Sequence, residues 1–261
     1  MAEGPAAGTH AALMDQVYRR QRYIYDLTRK YYLFGRDRLI REAALRPGQS
    51  AVEVGCGTAR NLIQIARLYP GVELFGLDAS SAMLSTAADS IARAGLSARI
   101  HLVQGYAEAL TPGLFGRSEP FDHVLFPYSL SMIPDWRQAL TAASAALRDD
   151  GRIHVVDFGD LTGLGPLAAA MLRGWLRLFH VEPRVEILHE LEIKAQQQSL
   201  KSGQLSLLPA RYAFLWNCSK AGAEDFASLD VAARSQAGRN LNNFVQATAA
   251  PVDIRAPYPP R

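Results

Sequence analysis

Ten residues, Ala51-Val-Glu-Val-Gly-Cys-Gly-Thr-Ala-Arg60, constrain this chain more than any other stretch, because they read as a buried strand running into a glycine turn and a helix. A second apolar run, Leu74-Phe-Gly-Leu, closes on Asp78, twenty-one residues after Gly57. Gly55 and Gly57 can adopt positive φ and place no Cβ between backbone N–H groups and a ligand. The helix that starts near Thr58 points the positive end of its dipole into the same crevice. At this distance from the turn, a carboxylate at the tip of the second strand can accept both hydroxyl protons of a ribose. The pattern predicts a site for a nucleotide-type cofactor.

The same cadence continues along the chain. Strand signals at Ala51–Val54, Glu73–Leu77, Arg99–Gln104, His123–Pro127 and Arg152–Phe158 alternate with helical periodicity at Asn61–Tyr69, Ser80–Ala94 and Trp136–Leu147. Such alternation predicts an α/β, Rossmann-like fold, a mostly parallel sheet with helices on both faces. Ligands of these sheets lie beyond the carboxyl ends of the strands. The loops at 55–58, 78–81, 105–108, 127–132 and 157–160 are therefore expected to converge on one crevice.

NAD and S-adenosylmethionine (SAM) both fit a ribose-binding acid. The last glycine of G-x-G-x-x-G would fall at Arg60, where a bulky side chain opposes a pyrophosphate. With Glu53, Gly55, Gly57 and Ala59, the segment instead resembles the first motif of class I SAM-dependent methyltransferases, acid-x-Gly-x-Gly-x-Gly, with alanine in the third glycine's place. The resemblance implies SAM as cofactor, no metal, and cofactor contacts from Glu53, Gly55, Cys56, Gly57, Asp78, Ala79, Met83, Gly105, Tyr106, Ala107 and Pro127. In that family an Asp often follows the glycine after the third strand and binds the adenine amino group. Here the loop reads Gly105-Tyr106-Ala107-Glu108, so the contact passes to Tyr106 or Glu108, with the Ala107 N–H facing the ring. Plain packing competes with these roles: Cys56 as a small turn residue, Ser80 as a helix N-cap, Met83 as core.

With 261 residues, 49% hydrophobic and 20% charged, the chain suits one catalytic domain plus extensions. No apolar run approaches the roughly 20 residues that cross a bilayer, and the start lacks the order of a secretory signal. Cys56 and Cys218 are too few for a disulfide framework or a zinc site. The cytoplasm is the expected compartment. Net charge is +3, yet Tyr18–Arg41 holds eight basic residues and two acids. Leu13, Val17, Ile24, Leu27, Tyr31 and Phe34 recur near helical spacing, predicting an amphipathic helix with a basic face, broken near Gly35. That face either caps the cofactor site or rests on anionic headgroups, each cation contributing on the order of 1 kcal/mol. Residues 167–179, with Arg173, Trp175 and Arg177, read either as a core-covering helix or as a headgroup-boundary element. The expected division is a helical cap over 1–45, a catalytic domain over 46–216 and a weakly ordered tail over 217–261, with a short helix at 224–234.

Several blocks are more specific. His10–Asp15, Tyr18–Asp26, Leu33–Asp37, Tyr128-Ser-Leu-Ser-Met-Ile-Pro-Asp-Trp-Arg137, His154–Asp160 and Phe179–Val181 together resemble the N-methyltransferase of bacterial betaine-lipid synthesis. That family trimethylates diacylglyceryl-homoserine with three SAM molecules. The resemblance implies an amine-bearing diacylglyceryl lipid as substrate and an anionic membrane surface as partner, with Tyr25, Tyr128, Ser129 and His180 about the reacting amine. The loop after Phe126 lacks the Asn-Pro-Pro-Tyr pattern of enzymes that methylate exocyclic amines, which argues against nucleic acid. Its tyrosine could steady a developing ammonium by roughly 0.5–2 kcal/mol, or Tyr128 and Trp136 could close the core. His154, His180 or Asp157 could receive the amine proton, although His154 sits within a strand pattern. Two alternatives remain: a SAM methyltransferase of another small amine, phosphatidylethanolamine or a quinone; or a SAM-binding interaction protein without catalysis, for which Ala59 and Tyr106 are the departures.

Overall fold

The computed structural model describes residues 34–178, 184–196 and 203–220. The expected helices over 13–33 and 224–234, together with Tyr25 and His180, lie outside the described residues. Strands β1 (Ser50–Val54), β2 (Glu73–Asp78), β3 (Ile100–Gln104), β4 (Phe121–Pro127), β5 (Leu147–Phe158), β6 (Gly203–Leu207) and β7 (Ala213–Ser219) form one sheet in the order β3-β2-β1-β4-β5-β7-β6. The pairs from β3 through to β5 are parallel; β5–β7 and β7–β6 are antiparallel. The strand order reverses at β1, between β2 and β4, which is where such sheets open a ligand crevice.

Side chains alternate between two buried layers. Ala51, Leu74, Leu125, Val156 and Leu215 face α1 (Arg36–Ala43), α2 (Arg60–Leu68) and α3 (Ser81–Arg93), meeting Leu39, Ile40, Leu62, Ile65 and Ile91. Val52, Val54, Val124, Phe126, Val155, Phe214 and Trp216 face α4 (Trp136–Ala146) and α6 (Val185–Gln196), meeting Trp136, Leu140, Ile187, Leu188 and Leu191. Central strands covered on both faces need near-continuous apolar sequence, and β1 is buried at all five positions. Each large aliphatic or aromatic side chain so buried contributes about 1.5–3 kcal/mol.

The chain turns at Gly35, where φ is +89° and an added Cβ would stand 2.8 Å from Leu208 Cδ1, so the expected break begins α1. Three elements go beyond the expected set: α6, β6 and β7. The last runs to Ser219, past the anticipated boundary at 216, because Asn217 and Cys218 pair with His154 and Ile153. Strand β5 begins at Leu147, directly after α4, where Leu147 pairs with Phe121 before a register shift. Among the described residues, no helix is long and apolar enough to cross a membrane.

Candidate active site

The glycine turn is built as its residue types demand. Gly55 and Gly57 have φ of +72° and +53°, and Ala59, in the third glycine's place, is also left-handed at +61°. A side chain at Gly55 would collide with Ser129, whose Cβ would lie 2.6 Å from the new carbon. The N–H groups of Gly55 and Cys56 both donate to Leu77 O, at 2.8 and 3.1 Å. Gly57 N–H donates to Asp78 Oδ2 at 2.8 Å, and Ser80 N–H to Asp78 Oδ1 at 2.9 Å. Asp78 thus ties the turn to the start of α3, and a carboxylate oxygen with one such partner can still accept a hydroxyl. This clamp was not legible in the spacing, which pointed only to a carboxylate that accepts the ribose hydroxyls. Glu53 is buried, and its Oε1 accepts from Asn61 Nδ2 at 2.8 Å, joining β1 to the first turn of α2.

Cys56 turns its side chain into the core. An added Cβ at Gly76 would meet its Sγ at 2.8 Å, and burial, with Asp78 and Glu53 nearby, pushes the thiol far up from its ordinary range. Its neutral, packed state matches the plain turn reading. Ser80 is the N-cap of α3, accepting from Met83 N–H at 3.3 Å, and Met83 is buried. Gly105 N–H donates to Asp78 O at 3.0 Å, and Gln104 Nε2 to Ala79 O at 3.0 Å, so the ends of β2 and β3 hold the 78–80 and 105–107 loops side by side. Ala79 is half-buried, Ala107 is buried and Tyr106 is 42% exposed.

After Pro127, buried at the end of β4, the loop closes downward. Tyr128 is left-handed at φ +59°, and its hydroxyl donates to Phe34 O while its ring packs edge-on against Phe158 at 4.7 Å. It and Trp136 are buried, so both side chains pack into the core in this structure. Ser129 stands against Gly55 with a buried Oγ that has no hydrogen-bond partner among the described residues.

Asp157 is also enclosed. It accepts from Ser131 N–H at 2.8 Å, Ser131 Oγ at 2.7 Å and its neighbour Phe158 N–H at 2.8 Å, while Arg184 Nε donates to Ser131 O at 2.9 Å. It pins the β4 loop to β5 and is not presented to a substrate amine. Burial outweighs those hydrogen bonds and raises its pKa to about 6. Because the folded value exceeds the unfolded one, the associated stability is complete below about pH 4 and is lost as pH rises through 6, about 3 kcal/mol in all. Urea midpoints of the protein should therefore fall between about pH 4 and 6.5 relative to those of Asp157→Asn; parallel curves would refute this assignment.

Beyond β5, Asp160 receives the Arg211 guanidinium at 2.6–2.9 Å, which holds its carboxyl well below the usual range. Arg211 also meets Glu192 of α6 at 2.8 Å, and His189 lies 3.8 Å from Asp160. This ionic knot joins the β5 loop, the 209–211 turn and α6 beyond the carboxyl end of β5. The arginine and acid are far apart in sequence, and only the antiparallel return of β7 brings them together.

Residues 51–151 match the family described as "Methyltransferase domain". The ubiquinone/menaquinone biosynthesis C-methyltransferase UbiE of Syntrophotalea carbinolica is 31% identical over 166 residues, covering 62% of this chain and 66% of the relative. The demethylmenaquinone methyltransferase of Bacillus cytotoxicus is 27% identical over 147 residues, covering 54% and 60%. The chain thus spans about two thirds or less of the length of these relatives. Two solved structures share the fold. A SAM-dependent methyltransferase from Aquifex aeolicus has a TM-score of 0.50 at 12% identity, covering 73% of this chain and 92% of the other. A Methanococcus maripaludis protein ascribed to the same class has 0.54 at 17%, covering 84% and 96%.

Proposed function

We propose that this chain acts as a class I SAM-dependent methyltransferase, as the match of residues 51–151 to a methyltransferase domain and the curated relatives support, and that it transfers a methyl group to a lipid-soluble acceptor. The observation that carries the cofactor reading is Asp78, held at the tip of β2 by the N–H groups of Gly57 and Ser80. It would take the ribose, with Ala107 and Met83 beneath the adenine and Tyr106 at its edge. When bound, SAM supplies a sulfonium methyl open to in-line displacement. The chain's contribution is then position and dryness, which in such reactions outweigh acid–base chemistry. Ser129 Oγ, buried against the glycine turn, offers a hydrogen bond to whatever group enters there.

Two acceptors compete. A quinone ring carbon is supported by the names of the curated relatives. The amine of a diacylglyceryl-homoserine lipid is supported by the Tyr128–Arg137 and His154–Asp160 blocks, which form the closed β4 loop and the end of β5. The relatives favour the quinone reading, and we place it first. Incubating the protein with SAM and either a demethylated quinol or diacylglyceryl-homoserine in vesicles separates them by mass: methyl additions on one acceptor and not the other identify the substrate. Addition to neither, with SAM bound, would overturn the lipid-soluble acceptor.

A lipid surface as partner has a physical basis in α5 (Pro166–Leu178), which buries Ala169 and Leu176 yet leaves Leu167 76% and Met171 70% exposed, beside exposed Ala168, Ala170 and Gly174. An apolar outer face of this kind suits the headgroup boundary. Leu167→Asp with Met171→Asp is expected to lower partitioning onto anionic vesicles about tenfold or more in a flotation assay; unchanged flotation would remove α5 from the contact.

A further inference from the structure

Toward the amino-terminal ends of the central strands, opposite the cofactor crevice, four side chains form a linear chain. His123 Nδ1 lies 3.0 Å from His154 Nε2, with the rings stacked 5.3 Å apart. His123 Nε2 lies 3.2 Å from Gln49 Oε1, and His154 Nδ1 lies 2.8 Å from Asn217 Oδ1. Both outer atoms are oxygens for independent reasons. Gln49 Oε1 accepts the Arg46 N–H at 2.7 Å, and Asn217 Nδ2 donates to Glu42 Oε2 at 2.9 Å, which leaves Asn217 Oδ1 facing the histidine.

Three links with acceptors at both ends require three N–H protons, and two neutral imidazoles carry two. A neutral pair must leave one link as lone pair against lone pair. A single added proton closes all three. A second would set two N–H groups against each other at the central link. We infer that His123 and His154 form a single-proton site, which takes up one proton as a unit, excludes the next, and thereby fastens α1 and the loop before β1 onto β4, β5 and β7.

The surroundings tune that site. The longest link, at Gln49, opens on a cavity of about 330 Å³ lined by Glu42, Arg46, Gln49, Asp122, Asp150 and Arg152, a route for water and protons. From β4 and β5, Asp122 and Asp150 favour the proton on His123 and Arg152 opposes it. Glu42, paired with Arg38 on α1, stands behind Asn217. Burial dominates and lowers His123 to about 4 and His154 to about 3, which puts uptake on the acid side of an ordinary histidine. The helix that the proton fastens follows directly on Phe34 and its N-cap Gly35, and Phe34 O is the acceptor for Tyr128 in the β4 loop. The device therefore bears on the rim of the candidate site, independently of which acceptor is methylated.

Imidazole ¹⁵N shifts of the full chain, followed by NMR as pH is lowered toward 4, test this without turnover. Both rings should move with one shared midpoint and one proton in total, and amide protection of Arg36–Ala43, corrected for intrinsic exchange, should rise several-fold across it. Separate midpoints, uptake of two protons, or two rings that stay neutral while the protein is folded would overturn the proposal. Gln49→Leu removes one terminal acceptor, so that two neutral rings satisfy what remains. Its midpoint should fall by about one unit, a tenfold weaker proton affinity, and an unchanged midpoint would likewise overturn it.

Discussion

Asp78→Ala is expected to weaken SAM binding about 100-fold by titration calorimetry. The carboxylate is the shared acceptor for Gly57 and Ser80 N–H groups, and charge-assisted hydrogen bonds of this kind are each worth about 1.5–3 kcal/mol. Loss of ribose contacts adds to the loss of the clamp, since the turn with Gly55 and Gly57 at positive φ no longer has a partner holding it against α3. A hundredfold corresponds to about 2.7 kcal/mol. Asp78→Asn tests the division of labour: its amide must put N–H against one of the two backbone donors, so it should lose most of the same affinity despite its shape. Affinity within threefold of the parent in both variants would refute the assignment of Asp78 to the cofactor.

Gly159→Ala is expected to be the most damaging single methyl in the segment that follows β5. The added Cβ would lie 2.1 Å from Arg211 O and 2.9 Å from its carbonyl carbon. Backbone cannot step aside there cheaply, because Gly159 N–H donates to Tyr212 O at 2.9 Å and Leu161, Ala210 and Arg211 are all left-handed already. Moving the turn also pulls Arg211 from Asp160 and Glu192. A loss of about 3 kcal/mol or more follows, read as a drop of about 1 M in the urea midpoint. Gly165→Ala is the control: nothing stands within 4 Å of its Cβ, and its midpoint should match the parent's. Equal midpoints for all three proteins would show that the 159–163 and 209–211 segments are not locked together.

How far the residues could be read ahead of the structure depended on the range of the forces involved. Strands β1, β2 and β4 and helices α2 to α4 were legible because burial on both faces imposes apolar runs, and a half-buried helix imposes a 3.6-residue period. Ser80 as N-cap was legible because capping acts within three residues. The last two strands were not: the return of β7 antiparallel to β5 depends on partners more than fifty residues away. Tyr128 and Trp136 have the composition of a substrate pocket, and only tertiary packing turned them inward, Tyr128 against Phe158 with its hydroxyl on Phe34 O, and Trp136 into the layer between the sheet and α6.

By itself the sequence determined the glycine turn, the acid at the tip of β2 and the parallel α/β order, because local conformational freedom and hydrophobic period decide those. Tertiary structure alone decided that Asp78 closes on Gly57 and Ser80, that Asp157 is enclosed, that Asp160 meets Arg211, and that two histidines on neighbouring strands share one chain of hydrogen bonds. Each of these is a contact between polar atoms whose strength depends on distance, burial and the direction of a lone pair, and no spacing along a single chain specifies those quantities.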